Sequence, residues 1–256
     1  MRRFPSRRTY GREDETDLAF ADPQLAAVYD AANPWCVSDT FYLGYVRSAV
    51  DVLDVGCGTG LLLAAAARAG HAGRLVGVDP AEAMLAQARR HPGVEWRRGT
   101  LPGLGLVAEV DLVVMTGHAF QVLLDDADVR AFLMAAHRAL RPGGHLAFES
   151  RNPLVRPWER WPSERVQRVA GPDGQGVDVA RRVDEVDGEF VTFTEIYTSA
   201  LWTEPRVSHS TLRFLRAEEL DARLTAAGFH VEERYGDWDR RPFTPASPEI
   251  ITVATS

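Results

Sequence analysis

The chain has 256 residues, 45% of them hydrophobic and 25% charged, with a formal net charge of −7. This excludes disordered and fibrous classes and leaves room for one large α/β core, or a core plus a small appended domain. All 29 basic residues are arginine, which excludes Schiff-base chemistry on a lysine and the lysine of a phosphate-binding P-loop.

The longest apolar run, residues 61–67, is far shorter than the roughly 20 residues of a membrane span. The N-terminus carries arginines but no apolar stretch of the kind a secretory signal needs. Cys36 and Cys57 are too few for a disulfide scaffold, so the expected compartment is the reducing cytoplasm.

Residues 1–20 are polar and charged and read as a mobile arm. Its arginines (Arg2, Arg3, Arg7, Arg8, Arg12) suit either a solvated tail or a phosphate-rich partner. Residues 21–49 suit two short helices, with Leu25, Val28 and Tyr29, then Phe41, Leu43 and Tyr45, as apolar faces, and form a helical cover. From residue 50 strands and helices alternate. Strands are expected at 50–55, 74–79, 94–99, 110–116 and 145–150, and helices at 60–70, 80–90 and 127–140. That rhythm predicts a mostly parallel, doubly wound sheet.

The rhythm breaks after Ser150. Four stretches rich in Val, Thr, Phe and Tyr, near 165–170, 177–186, 189–202 and 206–214, are separated by GPDGQG (171–176), DG (187–188) and Pro205. These are hairpin signals, so residues 156–214 are expected to form an inserted antiparallel sheet. A helix at 217–227 and strands at 229–235 and 250–255 then complete a core made of 50–155 and 215–256.

The chemical signal is VLDVGCGTG at 52–60: a buried strand, a turn with Gly56, Gly58 and Gly60, then a helix. Glycines allow positive φ and let a ligand approach the backbone at a helix N-terminus. The dinucleotide fingerprint requires a further glycine where Leu61 stands. Asp54 precedes the first glycine by two residues; its carboxylate would repel a pyrophosphate but favour an ammonium group. Asp79 ends the second strand, where an acid accepts hydrogen bonds from ribose hydroxyls. Both acids also suit a bland reading as turn caps.

A cationic amino acid carrying a ribose is S-adenosylmethionine, and at these residues the sequence resembles the class I S-adenosylmethionine-dependent methyltransferases. The resemblance spans about 50–150 and resumes at 217–255. It implies a seven-stranded Rossmann-like sheet of order 3-2-1-4-5-7-6. It also implies that Gly56, Cys57, Gly58, Thr59 and Gly60 face the methionine moiety, with Asp54 near its amino group. Asp79 and Pro80 would hold the ribose, Met84 would pack on adenine, and Thr100 and Leu101 would follow the third strand at the adenine edge. Thr100 stands where the family usually carries an acid, which leaves that contact open. Met115, Thr116 and Gly117 would line the sulfonium end, with Tyr29 from the cover.

His118 is the candidate catalytic residue, as a general base, a hydrogen-bond partner of the acceptor, or merely a satisfied loop residue. Glu149 is the reserve candidate, orienting an amine nucleophile. Phe120, Arg151, Asn152 and Trp158 are the expected acceptor contacts, alongside Arg156, Arg160 and Trp161. The alternative is that the tryptophans simply pack beneath the inserted sheet. TGHAFQ (116–121) replaces the Asn-Pro-Pro-aromatic motif of base-methylating enzymes, and with the negative charge this argues against nucleic acid. Neither the histidine spacing nor the acid pattern suggests a metal.

The inserted sheet resembles the lid of small-molecule methyltransferases, including amino-sugar and glycine-type N-methyltransferases. It implies a monomeric or homodimeric enzyme that methylates N or O of a small acceptor in specialised metabolism. Two other readings stand beside it: a non-catalytic S-adenosylmethionine-binding regulator, and a nicotinamide-dependent oxidoreductase, which the glycine spacing disfavours.

Overall fold

The computed structural model describes residues 16–161, 166–171 and 174–256. Three helices come first: α1 (Leu18–Ala21), α2 (Pro23–Ala32) and α3 (Val37–Ser48). Asp22 caps α2, accepting from the amides of Gln24 and Leu25, with Pro23 in the first turn. Of the stretch expected to be a mobile arm, residues 18–20 stand in α1, and residues 1–15 lie outside the described residues. Ala19 is buried within α1 and its amide donates to Ser208 Oγ at 3.0 Å, so this segment is fastened to the inserted segment that follows Ser150. The arginines at 2–12 lie outside the described residues.

The core alternates β1 (Val52–Val55), α4 (Leu61–Arg68), β2 (Leu75–Asp79), α5 (Glu82–Ala88), β3 (Glu95–Arg98), α6 (Leu101–Leu104), β4 (Val110–Met115), α7 (Asp126–Ala139) and β5 (Leu140–Arg151). After the insertion, α8 (Ala217–Ala226), β10 (His230–Tyr235) and β11 (Glu249–Thr255) return to it. The sheet order is β10-β11-β5-β4-β1-β2-β3. β1 through β5 pair in parallel, whereas β11 runs antiparallel to both β5 and β10. This is the seven-stranded order that the resemblance implied.

Period-two alternation decides which residues feed each layer. Leu53 and Val55 of β1 join Phe132, Leu133 and Leu220 of α7 and α8 on one face. Val52 joins Tyr42, Val46 and Leu63 of α3 and α4 on the other. In α3 the buried positions are Phe41, Tyr42 and Val46; Tyr42 takes the place expected of Leu43.

The insertion is a separate four-stranded antiparallel sheet, β6 (Gln167–Ala170), β7 (Gly176–Asp187), β8 (Phe190–Ser199) and β9 (Arg206–Arg213), paired in chain order. Gly188, at φ +59°, makes the β7–β8 turn possible, and Asp187 pairs directly with Phe190. Part of the GPDGQG turn lies outside the described residues, as does 162–165. Val169, Val177 and Tyr197 of this sheet pack with Ala19, Leu25 and Val28, so α1 and α2 lie between lid and core.

Candidate active site

Gly56, Gly58 and Gly60 all have positive φ (+71°, +54° and +80°), which turns the chain sharply from β1 into α4. Their surroundings differ. A Cβ on Gly60 would lie 2.3 Å from the Trp96 ring, so the helix packs closely there. A Cβ on Gly58 would meet nothing within 4 Å, and Gly58 lines a cavity. Asp79 ties this turn to the next helix: one carboxylate oxygen accepts from the Gly58 amide at 2.9 Å, the other from the Ala81 amide at 2.8 Å. Burial raises the Asp79 pKa, while those two amide bonds pull it down.

Asp54 is buried beneath the loop, and its Oδ1 has no hydrogen-bond partner. Burial first, then the charges of Asp79 and Glu149, push its pKa up to about 8. An unsatisfied acid beside a second acid calls for a cation. The open space at Gly58 provides room for a ligand against the backbone. Both features fit S-adenosylmethionine, which carries an ammonium and a sulfonium.

Beyond β4 the chain turns through Gly117 and His118, the latter left-handed at φ +61°. Glu149, fully buried on β5, holds this turn: its Oε1 accepts from the His118 amide at 2.6 Å and its Oε2 from the Tyr42 hydroxyl at 2.5 Å. Burial raises its pKa, opposed by His118 and Tyr42. The His118 ring lies 3.0 Å from Glu249 through Nε2 and Oε2, and no described residue bonds its Nδ1. Burial, reinforced by Arg151, lowers the His118 pKa to about 3; burial raises that of Glu249 to about 7. The pair therefore prefers a neutral imidazole.

A cavity of about 1070 Å³ runs from the glycine turn to the lid. Tyr29, Gly56, Gly58, Asp79, Pro80 and Met84 line one end. Met115, Thr116, Gly117, His118 and Arg151 line its middle. Arg181, Phe193, Glu195 and Tyr197 of the inserted sheet close the far side. Burial raises the Tyr29 hydroxyl pKa to about 12, so it remains a donor.

Other expected site residues lie elsewhere, each for a physical reason. Cys57 packs with Leu85 and Trp96, and the Thr59 hydroxyl donates to Asp30 at 2.5 Å. Leu101 is buried in the main core, and Thr100, which flanks α6, is also absent from the cavity wall. Phe120 sits in a short 3₁₀ turn, Ala119–Val122, that directs it onto Phe148 in a stacked pair 4.5 Å apart, so it is a core residue. Asn152 donates to the carbonyls of Pro245 and Ser247 and accepts from the Leu154 amide, which makes it a loop brace. Trp158 packs edge-on against Phe214 under the lid, leaving its indole away from the cavity. Glu149 does not line the cavity, since both its oxygens are committed to Tyr42 and His118. Tyr42 and Glu249 carried no sequence signal, being 107 and 131 residues from the partners they meet.

A doubly wound sheet with β11 inserted antiparallel, a glycine turn and an acid ending β2 defines a Rossmann-like methyltransferase fold. Residues 52–144 match the family model of a methyltransferase domain. A ubiquinone biosynthesis O-methyltransferase from Azorhizobium caulinodans is 30% identical over 72% of this chain and 60% of its own length. A trans-aconitate 2-methyltransferase from Azoarcus is 34% identical over 62% of this chain and 57% of its own. The chain thus spans less than two thirds of these curated relatives. The solved structure of CalS10, an S-adenosylmethionine-bound amino pentose methyltransferase from Micromonospora echinaspora, is 28% identical. It covers 89% of this chain and 96% of its own, with a TM-score of 0.67. Residues 52–144 thus belong to a methyltransferase domain family, and the chain around them has the fold of the S-adenosylmethionine-dependent methyltransferases.

Proposed function

We propose that the chain transfers the methyl group of S-adenosylmethionine to a nitrogen or oxygen of a small-molecule acceptor. The observation that carries this is one continuous cavity, walled at one end by the glycine turn and Asp79 and at the other by the inserted sheet. Its volume exceeds what a single drug-sized ligand needs, leaving room for cofactor and acceptor together. An acceptor enclosed between core and lid is a metabolite rather than a protein or a long nucleic acid.

When bound, S-adenosylmethionine supplies an activated methyl group, and the protein contributes positioning and exclusion of water. In this reading Asp79 and the Gly58 turn hold the cofactor, and Asp54 offsets its positive charge. His118 faces the acceptor. With Glu249 ionised and accepting Nε2–H, the Nδ1 lone pair is free to take a proton from an ammonium or hydroxyl nucleophile. Glu149 is a positioning residue: it fixes the His118 backbone. The division into a helical cover, a two-part core and a lid over 156–214 follows the same roles. No helix among the described residues is long and apolar enough to cross a membrane. We infer a cytoplasmic enzyme acting as monomer or homodimer.

Calorimetric titration with S-adenosylmethionine, S-adenosylhomocysteine and NAD tests the cofactor assignment; tight NAD binding without the other two would overturn it. Turnover against amines, phenols and amino sugars then identifies the nucleophile.

A further inference from the structure

Arg151 ends β5 at the middle of the cavity. Its guanidinium makes one side-chain hydrogen bond, Nη1 to Gln121 Oε1 at 2.9 Å, and stands 5.4 Å from the centre of the Trp161 ring. Gln121 is itself fully buried and anchored by its own donor to the Arg213 carbonyl at 3.1 Å. The guanidinium is therefore held on a rigid platform, and most of its five donors remain unused.

No carboxylate among the described residues pairs with it. The two nearby acids direct their hydrogen bonds elsewhere. Glu249 lies directly opposite Arg151 in the β5–β11 register, yet its carboxylate turns to His118. Glu149 gives its oxygens to Tyr42 and the His118 amide. Arg181, the other arginine of the cavity wall, is neutralised by Glu195 at 2.6 Å. Arg213 likewise has Glu189 and Asp126. A desolvated guanidinium with no carboxylate in direct contact is costly: burial lowers its pKa, and the charges of Glu249 and Glu149 oppose this only from a distance. The planar fork left open at such a position matches two oxygens on one atom.

We propose that Arg151 is the recognition point for a carboxylate on the acceptor. The inference rests on the methyl-transfer reading of the cavity and gives that reading a substrate class. Sheet order separates Arg151 from the cofactor turn: β4 and its His118 loop lie between β5 and β1. A carboxylate on Arg151 therefore stands on the acceptor side of His118. It would also cancel the positive charge that depresses the imidazole, so acceptor binding makes His118 more basic.

The test uses the full chain saturated with S-adenosylhomocysteine and titrated calorimetrically with trans-aconitate, benzoate, benzamide and phenyl phosphate. The expected result is that at least one carboxylate binds about tenfold or more tightly than benzamide and than phenyl phosphate. Arg151→Gln should lose that preference, Arg151→Lys should keep part of it, and S-adenosylhomocysteine affinity should stay within about twofold in both. Should Arg151→Gln not fold, the acid-over-amide preference of the unaltered protein decides alone. Binding of no carboxylate, equal binding of acid and amide, or preference for the phosphate would overturn the proposal. So would a weakened S-adenosylhomocysteine, which would give Arg151 to the cofactor's own carboxylate. Failure of S-adenosylhomocysteine to bind the unaltered protein is a separate result, overturning the methyltransferase reading itself.

Discussion

His118 and Glu249 meet side chain to side chain at 3.0 Å, although β11 carries one and the loop after β4 the other. Burial drives each toward its neutral form, to about 3 for the imidazole and about 7 for the carboxyl. Below neutrality the protonated Glu249 donates to Nε2, and Nδ1 keeps a hydrogen. Above it the ionised carboxylate accepts Nε2–H, and Nδ1 carries the lone pair. For a protonated nucleophile kcat/KM should therefore rise with pH through about 7. Glu249→Gln should remove that rising limb with cofactor affinity unchanged. His118→Ala should lower kcat by about 10²–10⁴. A loss of only a few-fold with raised acceptor KM would make His118 a binding group instead.

Tyr42 and Glu149 support this loop from behind. Glu149→Ala strands a buried hydroxyl and the His118 amide, each costing roughly 1–3 kcal/mol. Thermal melts should show that loss. Glu149→Gln keeps an acceptor for only one of the two donors, so it should recover stability in part. Tyr42→Phe should lower kcat at constant S-adenosylhomocysteine affinity, as expected if the contact positions the loop without touching ligand.

The glycines of the turn should separate by readout. Gly58→Ala and Gly60→Ala both place a side chain at positive φ, a strain of roughly 1–2 kcal/mol. Only Gly60→Ala also collides with Trp96, so its melting temperature should fall further, and adding Trp96→Leu should restore part of it. Gly58→Ala instead puts a methyl beside the cofactor cavity and should weaken S-adenosylhomocysteine about tenfold or more.

Much of this was legible in sequence because it is local. The glycine turn, the acid ending β2 and the Asp-Gly turn of the lid each lie within a few residues of their consequences. For Phe120, hydrophobic type alone does not say which side of a short 3₁₀ turn faces the core, whereas Trp158 follows the alternative reading and packs beneath the inserted sheet. Thr100 was placed by a family pattern, and the local turn at α6 sends the chain elsewhere. Tyr42 and Glu249 act across the fold, where only tertiary packing brings them to His118 and Glu149.

Asp54 gives a pH signature of stability. The folded protein raises its pKa from 3.8 to about 8, so the folded state keeps a proton that the unfolded chain releases. Its contribution is full below 3.8 and is lost as pH rises through about 8. Asp54→Asn, which stays neutral, should match the unaltered protein near pH 4 and melt higher at about pH 9. On the proposed role of Asp54 in offsetting the cofactor's positive charge, the same substitution should weaken S-adenosylmethionine, although Asp54 lies beneath the loop and not in the cavity wall. Ligand binding by the unaltered protein should release protons, read as a dependence of calorimetric heat on buffer.

The lid leaves the core after β5, returns at α8, and contributes no strand to the seven-stranded sheet. Mutation can therefore rewrite the acceptor wall without disturbing the register that builds the cofactor site. Ancestry recorded in residues 52–144 is then a record of the methyl donor. Descendants of one gene can diverge in diet while keeping the same engine.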